Sequence, residues 1–582
     1  MKRMTICGHD AAEFSIVLPA IPEPAEKTAA EFLKRVISIS CGAELPISDT
    51  AAEHCIMIGT REPSPEVKWD GFRITTDENH VYLDGNAARG TLYAAYSFAE
   101  RYLGYRLFAP DVEKIPTDGS AEVPCGINII DNPVFEARRT TCHTHMISAE
   151  YSTHARLNDC MPTDETYGGG VGLPGACHTF RKWLPPEEYF DEHPEYFAIH
   201  NGVRAPFDED NSPTQPCLTN PDVLRIVTEK VLAELREHPE TRVLELSQND
   251  NEEYCQCERC AAVDDEEGSP AASMLRFVNA VAEAVEKEFP DVLVRTFAYW
   301  YTRIPPKHTV ARPNVLIRYC TMHACCRHAI DDPTCERNYE HYYKEMQEWR
   351  SKCRHMSVWD YITCWRAYIP PFPNLVSLRE NMRLFAECGA IHVLEECNSG
   401  NKAGGTTPEL KAYLTGLLLW NPYMSEEEYR GHIDEFIEAF YGPGWKEIGR
   451  YLELEYEATA NRHPGCMDIV DVGRYSYGDF RPTPYMPILP DNHLTDLAAK
   501  YEEAVEIISK AKELAETEEQ RYRIDGIRAS LDYMEICCRE HIKENMTPEE
   551  QAAHEAKVKL FDEEKTARGF RYNTSTEGHQ GR

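Results

Sequence analysis

VLELSQNDNEEYCQCERC, residues 243–260, is the stretch on which the reading of this chain turns. It opens as a short apolar run of strand length and breaks at Gln248-Asn249-Asp250 into a polar loop with three cysteines. Downstream, Ser269-Pro270 is a cap with a first-turn proline. Met274, Phe277, Val278, Val281, Val285 and Phe289 then recur at the spacing of one helical face. A second apolar run, Leu293–Ala298, follows. Strand, loop, helix and strand in that order make the βα unit of a parallel sheet.

The unit repeats along the chain. Apolar runs that end in polar or aromatic residues lie at Arg138–Thr144, Glu195–Ile199, Val243–Ser247, Leu293–Ala298, Val315–Tyr319, Met356–Asp360 and Ile391–Glu395, with one more expected near Gly169–His178. About eight such units in roughly 300 residues predict an α/β fold with a TIM-type (β/α)8 barrel over residues 126–420. Residues 1–125 read as a small α/β domain. FSIVLPA and HCIMIGT are strands, Ala25–Ser40 is an amphipathic helix, GFRITTDENHVYLDG alternates like a hairpin, and RGTLYAAYSFAERYLG is a helix closed by Gly104. Residues 421–582 lose the strand signals. The capping box Ser425–Glu428 and long Glu/Lys/Ala-rich patterns predict a helical C-terminal domain, with RYNTSTEGHQGR as a frayed tail.

Composition sets limits. A chain of 582 residues, 42% apolar, is long enough for two or three domains with large cores. Lys and Arg number 61 against 97 Asp and Glu, a formal net charge of −36. That charge argues against nucleic acid or an anionic membrane as partner. Twenty-two scattered cysteines suit a reducing compartment. The start, MKRMTICGHDAAEF, lacks the apolar core of a signal peptide, so a cytoplasmic location is expected. Composition does not address the oligomeric state.

In a barrel, function gathers at the C-terminal ends of the strands. The residues there are Cys177-His178-Thr179, Gln248-Asn249-Asp250, Tyr299-Trp300-Tyr301, Arg318-Tyr319, Trp359-Asp360-Tyr361 and Glu395-Glu396. Carboxylates ringed by aromatics suit a sugar: its CH-rich faces stack on rings, and acids protonate the glycosidic oxygen and stabilise oxocarbenium charge. Asp250, Asp360 and Glu395 are therefore the catalytic candidates. His178, Asn249, Tyr299, Tyr301, Trp359 and Tyr361 are the substrate-binding candidates. Each has a plainer reading: strand-end aromatics cap barrel cores, Asp250 suits an Asx turn, and Asp360 suits a bond to a loop amide. Glu395, ending the apolar run IHVL, is the hardest to explain that way. No GxSxG elbow, P-loop or GxGxxG fingerprint sits at a strand–helix junction.

Cys255, Cys257 and Cys260 are spaced C-x-C-x2-C. A structural zinc needs a fourth ligand, and HACCRHAIDDPTC offers His323, Cys325, Cys326, His328 and Cys335. The alternative is a loop of free thiols. Catalysis itself needs no cofactor on this reading.

SQNDNEEYCQCERC, SMLRFVNAVAEAVEKEFPDV, FAYWYTRIPPK, VWDYITCW, PFPNL and VLEE together resemble the family called domain of unknown function 4838, part of which is glycoside hydrolase family 163. The segment ending RGTLYAAYSFAERYLGYRLFAPD resembles the small α/β domain that precedes the barrels of hexosaminidases and α-glucuronidases. The likeness covers residues 1 to about 460. It implies an endo-β-N-acetylglucosaminidase-like activity on a glycan, with Asp250, Asp360 and Glu395 in the barrel mouth and Tyr299 and Trp359 against the sugar. Arg276 and Asn279 match an RFVN motif and read as supports. Where the family pattern has Glu-Gln-Gly, this chain has Glu395-Glu396-Cys397. Two other functions stay open. An α-glucuronidase-like enzyme would need Arg318 or Arg366, or a protonated His178, to meet a uronate, and a non-catalytic barrel would bind glycans without turnover.

Overall fold

The computed structural model describes residues 2–159, 164–173, 177–206, 214–365, 367–467, 485, 492–540 and 542–570. Its centre is a parallel sheet of six strands: β1 Ala137–Thr140, β2 Val243–Glu245, β3 Leu293–Ala298, β4 Val315–Cys320, β5 His355–Tyr361 and β6 Ala390–Glu396. Strands β2 to β6 pair in sequence order, and β1 pairs with β6, so the sheet curls back toward its start. It is an incomplete barrel. Among the described residues, no strand joins β1 to β2.

Two of the eight expected strands account for the gap. Glu195–Ile199 forms a 3-10 turn over Pro194–Tyr196 and a short hairpin, Ile199–His200 with Val203–Arg204. The reason is local. Asn201 and Gly202 take φ of 49° and 79°, and an Asn-Gly pair with both φ positive turns a chain back on itself in two residues. The expected strand near Gly169–His178 lies partly outside the described residues, and its described parts contain no strand. Irregular backbone lines the arc instead. Thr179 and His178 donate their amides to the carbonyl and hydroxyl of Ser247, and Asn158 and Asp159 donate theirs to the Arg138 carbonyl.

The helices pack outside the sheet. Ala271–Glu288 buries Met274, Phe277, Val278, Val281 and Val285, the apolar stripe read in the sequence. Each such side chain contributes about 1.5–3 kcal/mol on burial. The core formed this way runs from Phe108 through the sheet into the C-terminal helices, which include Glu426–Tyr441, Trp445–Ala458, Tyr501–Leu514 and Glu518–Glu540. Ser425 and Glu428 form the expected capping box.

A separate core lies in the N-terminal region, under a six-stranded mixed sheet and the helices Pro24–Cys41 and Ala88–Phe98. The expected hairpin is present as Phe72–Thr76 against His80–Gly85. Gly104 closes its helix with φ 73°. Arg138 of β1 joins the two cores through a fully buried ion pair with Asp70 at 2.5 Å. No helix among the described residues is long and apolar enough to cross a membrane.

Candidate active site at the barrel mouth

Side chains alternate between the two faces of a strand, so one residue decides whether a group faces the lumen or the helices. On the lumen side, Phe297 packs on Trp359, Trp359 stacks on Tyr361, and the Arg318 guanidinium lies 5.9 Å from the Phe297 ring and 5.4 Å from that of Trp359. Trp359 donates its indole N–H to Glu396 at 2.6 Å, which places Glu396 on that face. Burial pushes the Glu396 carboxyl up to about 8, and the negative charge of Asp250 adds to the rise. Glu396 is therefore protonated at neutral pH while facing the mouth.

Asp250 sits on the loop after β2. Tyr299 Oη and Trp300 Nε1 both donate to its Oδ1, each at 3.0 Å. Two donors on one oxygen suit an ionised carboxylate, which only accepts. Tyr299, Tyr361, Phe297, Cys320 and Met322 form the apolar lining of this mouth, with Trp300, Trp359, Trp365 and Cys177 against it.

His178 stands across from them, 5.4 Å from the Phe297 ring and 6.3 Å from that of Tyr299. Its Nδ1 meets the Gln248 carbonyl at 2.7 Å, so Nδ1 must carry a proton and the neutral ring keeps Nε2 as its acceptor. His178, Trp300 and His323 all have left-handed backbone, with φ of 56°, 52° and 70°. The Trp300 and His323 rings pack 5.4 Å apart.

The structure places four of the sequence-based candidates otherwise than at the lumen side of the mouth. Asp360 and Glu395 pair in register across β5 and β6 but lie on the face turned to the helices. Asp360 accepts a hydrogen bond from Thr321 Oγ1. Around it lie Cys326, Asn374, Ser377 and Asn381, beside and on the helix Leu375–Glu387. Glu395 is 0% exposed, and its carboxyl faces that of Asp360, its hydrogen-bonding neighbour. Burial, reinforced by the Asp360 charge, drives the Glu395 carboxyl well above its usual range. Burial also raises Asp360. The pair thus lies on the face of the sheet opposite Trp359 and Glu396.

Tyr301 also leaves the mouth. It stacks on Tyr254 at 5.2 Å near Cys255 and Cys260, because the left-handed turn at Trp300 sends the indole, not the phenol, toward Asp250. Asn249 is 0% exposed and works as a clasp: its amide N–H donates to Gln215 Oε1 and its side chain to the Thr214 carbonyl. Arg276 binds Glu267 at 2.6 Å, and Asn279 holds the backbone of Val310 and Arg312, so both brace the loop after β3. Arg366 lies outside the described residues.

Deeper in the lumen, Arg295 and Glu245 form a buried pair at 2.5 Å. Arg318 is 7% exposed; its guanidinium forms no hydrogen bond or ion pair among the described residues, and its Nε is buried without a partner. Burial and the neighbouring Arg295 push it down to about 10, which leaves it charged at neutral pH.

The cysteine loop finds its fourth partner elsewhere than expected. Cys255, Cys257 and Cys260 meet Cys217, with donor atoms all within 4.8 Å of one another, and the segment His323–Cys335 is not involved. Cys217 Sγ lies 3.8 Å from that of Cys257 and 4.0 Å from that of Cys260. Cys217 precedes the helix Pro221–Glu237 with no nearby cysteine to mark it, so spacing gave no signal.

Residues 107–453 match the family described as Domain of unknown function (DUF4838), and the chain belongs to that family. No curated protein matches it in sequence. Among solved structures it is similar to a family GH115 4-O-methyl-α-glucuronidase with specificity for decorated arabinogalactans, at 13% identity and a TM-score of 0.57 over 94% of this chain and 75% of that one. It is also similar to a GH138 enzyme targeting the pectin rhamnogalacturonan II, at 10% identity and a TM-score of 0.50 over 91% and 87% of the two chains. At such identities the likeness is one of fold.

Proposed function

We propose that the protein is a glycoside hydrolase acting on an acidic glycan, with Glu396 as general acid and Asp250 as the opposing carboxylate. The observation that carries this reading is Arg318, an unpaired guanidinium in the lumen below a mouth of carboxyls and aromatic rings. The Glu245 carboxylate acts on it only at a distance, and a buried cation with no direct ion-pair partner is costly. A substrate carboxylate offsets that cost and matches the guanidinium fork, and a uronic acid supplies one. Tyr299, Trp300, Trp359 and Tyr361 offer faces for the sugar ring. Protonated Glu396 can give its proton to the leaving oxygen, and ionised Asp250 can support the developing oxocarbenium charge or activate water. Of the two structural neighbours, one is named as a 4-O-methyl-α-glucuronidase and the other as targeting a pectin, which agrees.

The N-acetylhexosamine reading rests on the family resemblance, and among the described residues of the mouth no group favours it over a uronate. A purely binding barrel would hold its carboxyls neutralised by Lys or Arg. Among the described residues, Asp250 and Glu396 have no such partner, whereas the deeper Glu245 does.

The test is reducing-sugar release from aryl glucuronides, glucuronyl oligosaccharides, aryl N-acetylglucosaminides and N-glycans. The expected result is cleavage of glucuronides, with kcat/KM lowered about tenfold to a hundredfold by Arg318→Met, the worth of a charge-assisted hydrogen bond. Cleavage of N-acetylglucosaminides alone overturns the acidic-sugar reading. Saturable binding without turnover at any pH overturns the enzyme.

For the cysteine quartet we propose a structural zinc. Four thiolates close a tetrahedral site and leave no position for a substrate water. The metal would tie Cys217 to the loop that carries Asp250. Cys217→Ser should then remove about one metal per chain and lower activity without altering its pH profile.

A further inference from the structure

A second group of soft donors is separate from the cysteine quartet. Cys325, His328 and Cys335, on the loop after β4, meet His463, which follows the helix Trp445–Ala458. The four donor atoms lie within 4.8 Å of one another. Cys325 Sγ is 3.3 Å from His328 Nδ1, and Cys335 Sγ is 3.3 Å from His463 Nδ1, across 128 residues of chain. The two imidazole rings are 4.7 Å apart. Around a tetrahedral zinc with bonds of about 2.0–2.3 Å, donors stand roughly 3.3–3.8 Å apart, so small shifts would close this cage on an ion.

The surroundings set the donors toward a common centre. His328 Nε2 faces the Ala460 carbonyl at 3.1 Å, so Nε2 carries the proton and Nδ1 keeps its lone pair for the cluster. Asn338 holds the loop by accepting from the Cys325 amide and donating to the carbonyls of Cys325, His328 and Ala329. Arg337 reaches the carbonyls of His323, at 2.6 Å, and His463, at 3.0 Å, and so joins the two segments directly. Cys325 and Cys335 are buried while His463 is exposed, which gives an ion a way in.

We propose that Cys325, His328, Cys335 and His463 form a second, independent Cys2His2 site for a tetrahedral divalent cation, zinc before others, that fastens the loop after β4 to the segment beginning at His463. Two thiolates with two imidazoles select zinc over hard cations such as magnesium or calcium. All four positions are taken by protein, so the duty is structural. What it secures is one wall of the mouth. Pro464 accepts from the Cys326 amide at 2.7 Å, Cys466 accepts from the Trp365 amide at 2.8 Å, and Cys466 packs with Tyr299 and Tyr361. This inference does not depend on the reaction proposed above.

The experiment is elemental analysis of the full chain purified without added metal, paired with cobalt(II) substitution. His463 is exposed, so His463→Ala should leave the fold intact. It is expected to hold about one equivalent less zinc than the unsubstituted protein, both alone and in a Cys217→Ser background. His463→Cys should restore that equivalent. The cobalt difference spectrum between unsubstituted protein and His463→Ala should show tetrahedral d–d bands. Equal metal content in the two proteins, or a featureless difference spectrum, overturns the site whatever the cysteine quartet binds.

Discussion

Glu395 and Glu396 are neighbours on one strand, yet they occupy different chemical worlds. Glu396 faces the lumen, held by the Trp359 indole and sensing Asp250. Glu395 faces the helices, paired in register with Asp360 and closed to solvent. Both carboxyls are raised by burial, so a perturbed acidity alone does not separate a catalytic acid from a structural one. What separates them is which face of the sheet they occupy and which groups they can reach.

The sharpest way to break the comparison is substitution. Glu396→Gln keeps the size and the hydrogen bond but removes the proton donor, so kcat should fall by about 10²–10⁴. Glu395→Gln should keep turnover within a few-fold, roughly the effect of 1 kcal/mol or less. Steady-state kinetics on a cleaved glycoside decides between them, and the opposite pattern would move the catalytic acid to the helix face.

A smaller effect is expected in the pH profile. A general acid works while protonated, and Glu396 is raised to about 8. Activity should therefore hold below that value and fall about tenfold per pH unit above it, with the residual activity of Glu396→Gln lacking this limb. A limb already falling near pH 5 in the unsubstituted enzyme would mean that another group is the acid.

The smallest effect concerns stability. The Glu395 carboxyl titrates higher in the fold than in the unfolded chain. Its contribution is thus fully present below the unfolded value of about 4.3 and is lost as pH rises toward the folded value. Glu395→Gln should make the fall of stability with rising pH shallower, by at most about 1.4 kcal/mol per pH unit. Denaturant melts at three pH values measure that slope, and an unchanged slope would show that Glu395 does not hold its proton.

The sequence located the strands better than their faces. In IHVLEE both faces of β6 are buried, as is general for parallel barrel strands, so no alternation tells which glutamate looks inward. The long helix Ala271–Glu288 was legible because beyond its fully buried first turn only one face is buried and its stripe shows. Trp300 stood in the sequence beside Tyr299 and Tyr301, but only its left-handed φ reveals that it, and not Tyr301, turns to Asp250. His-Asn-Gly-Val at 200–203 carried a hairpin signal that outweighed the apolar run before it. Cys217 was invisible as a ligand because nothing near it in the chain repeats its chemistry, and His463 because its sequence neighbour Cys466 is not among the donors it meets.

His178, Trp300 and His323 put left-handed backbone around the mouth at residues that have no glycine-like freedom. Each such position forgoes roughly 1–2 kcal/mol that a glycine would recover. In evolutionary terms these are sites where selection for robustness and selection for turnover disagree. A lineage that no longer used the mouth would gain by relaxing them, and random drift would find those replacements easily. Two imidazoles and an indole held in this conformation mark the rim of the mouth as the place where the fold stores backbone strain.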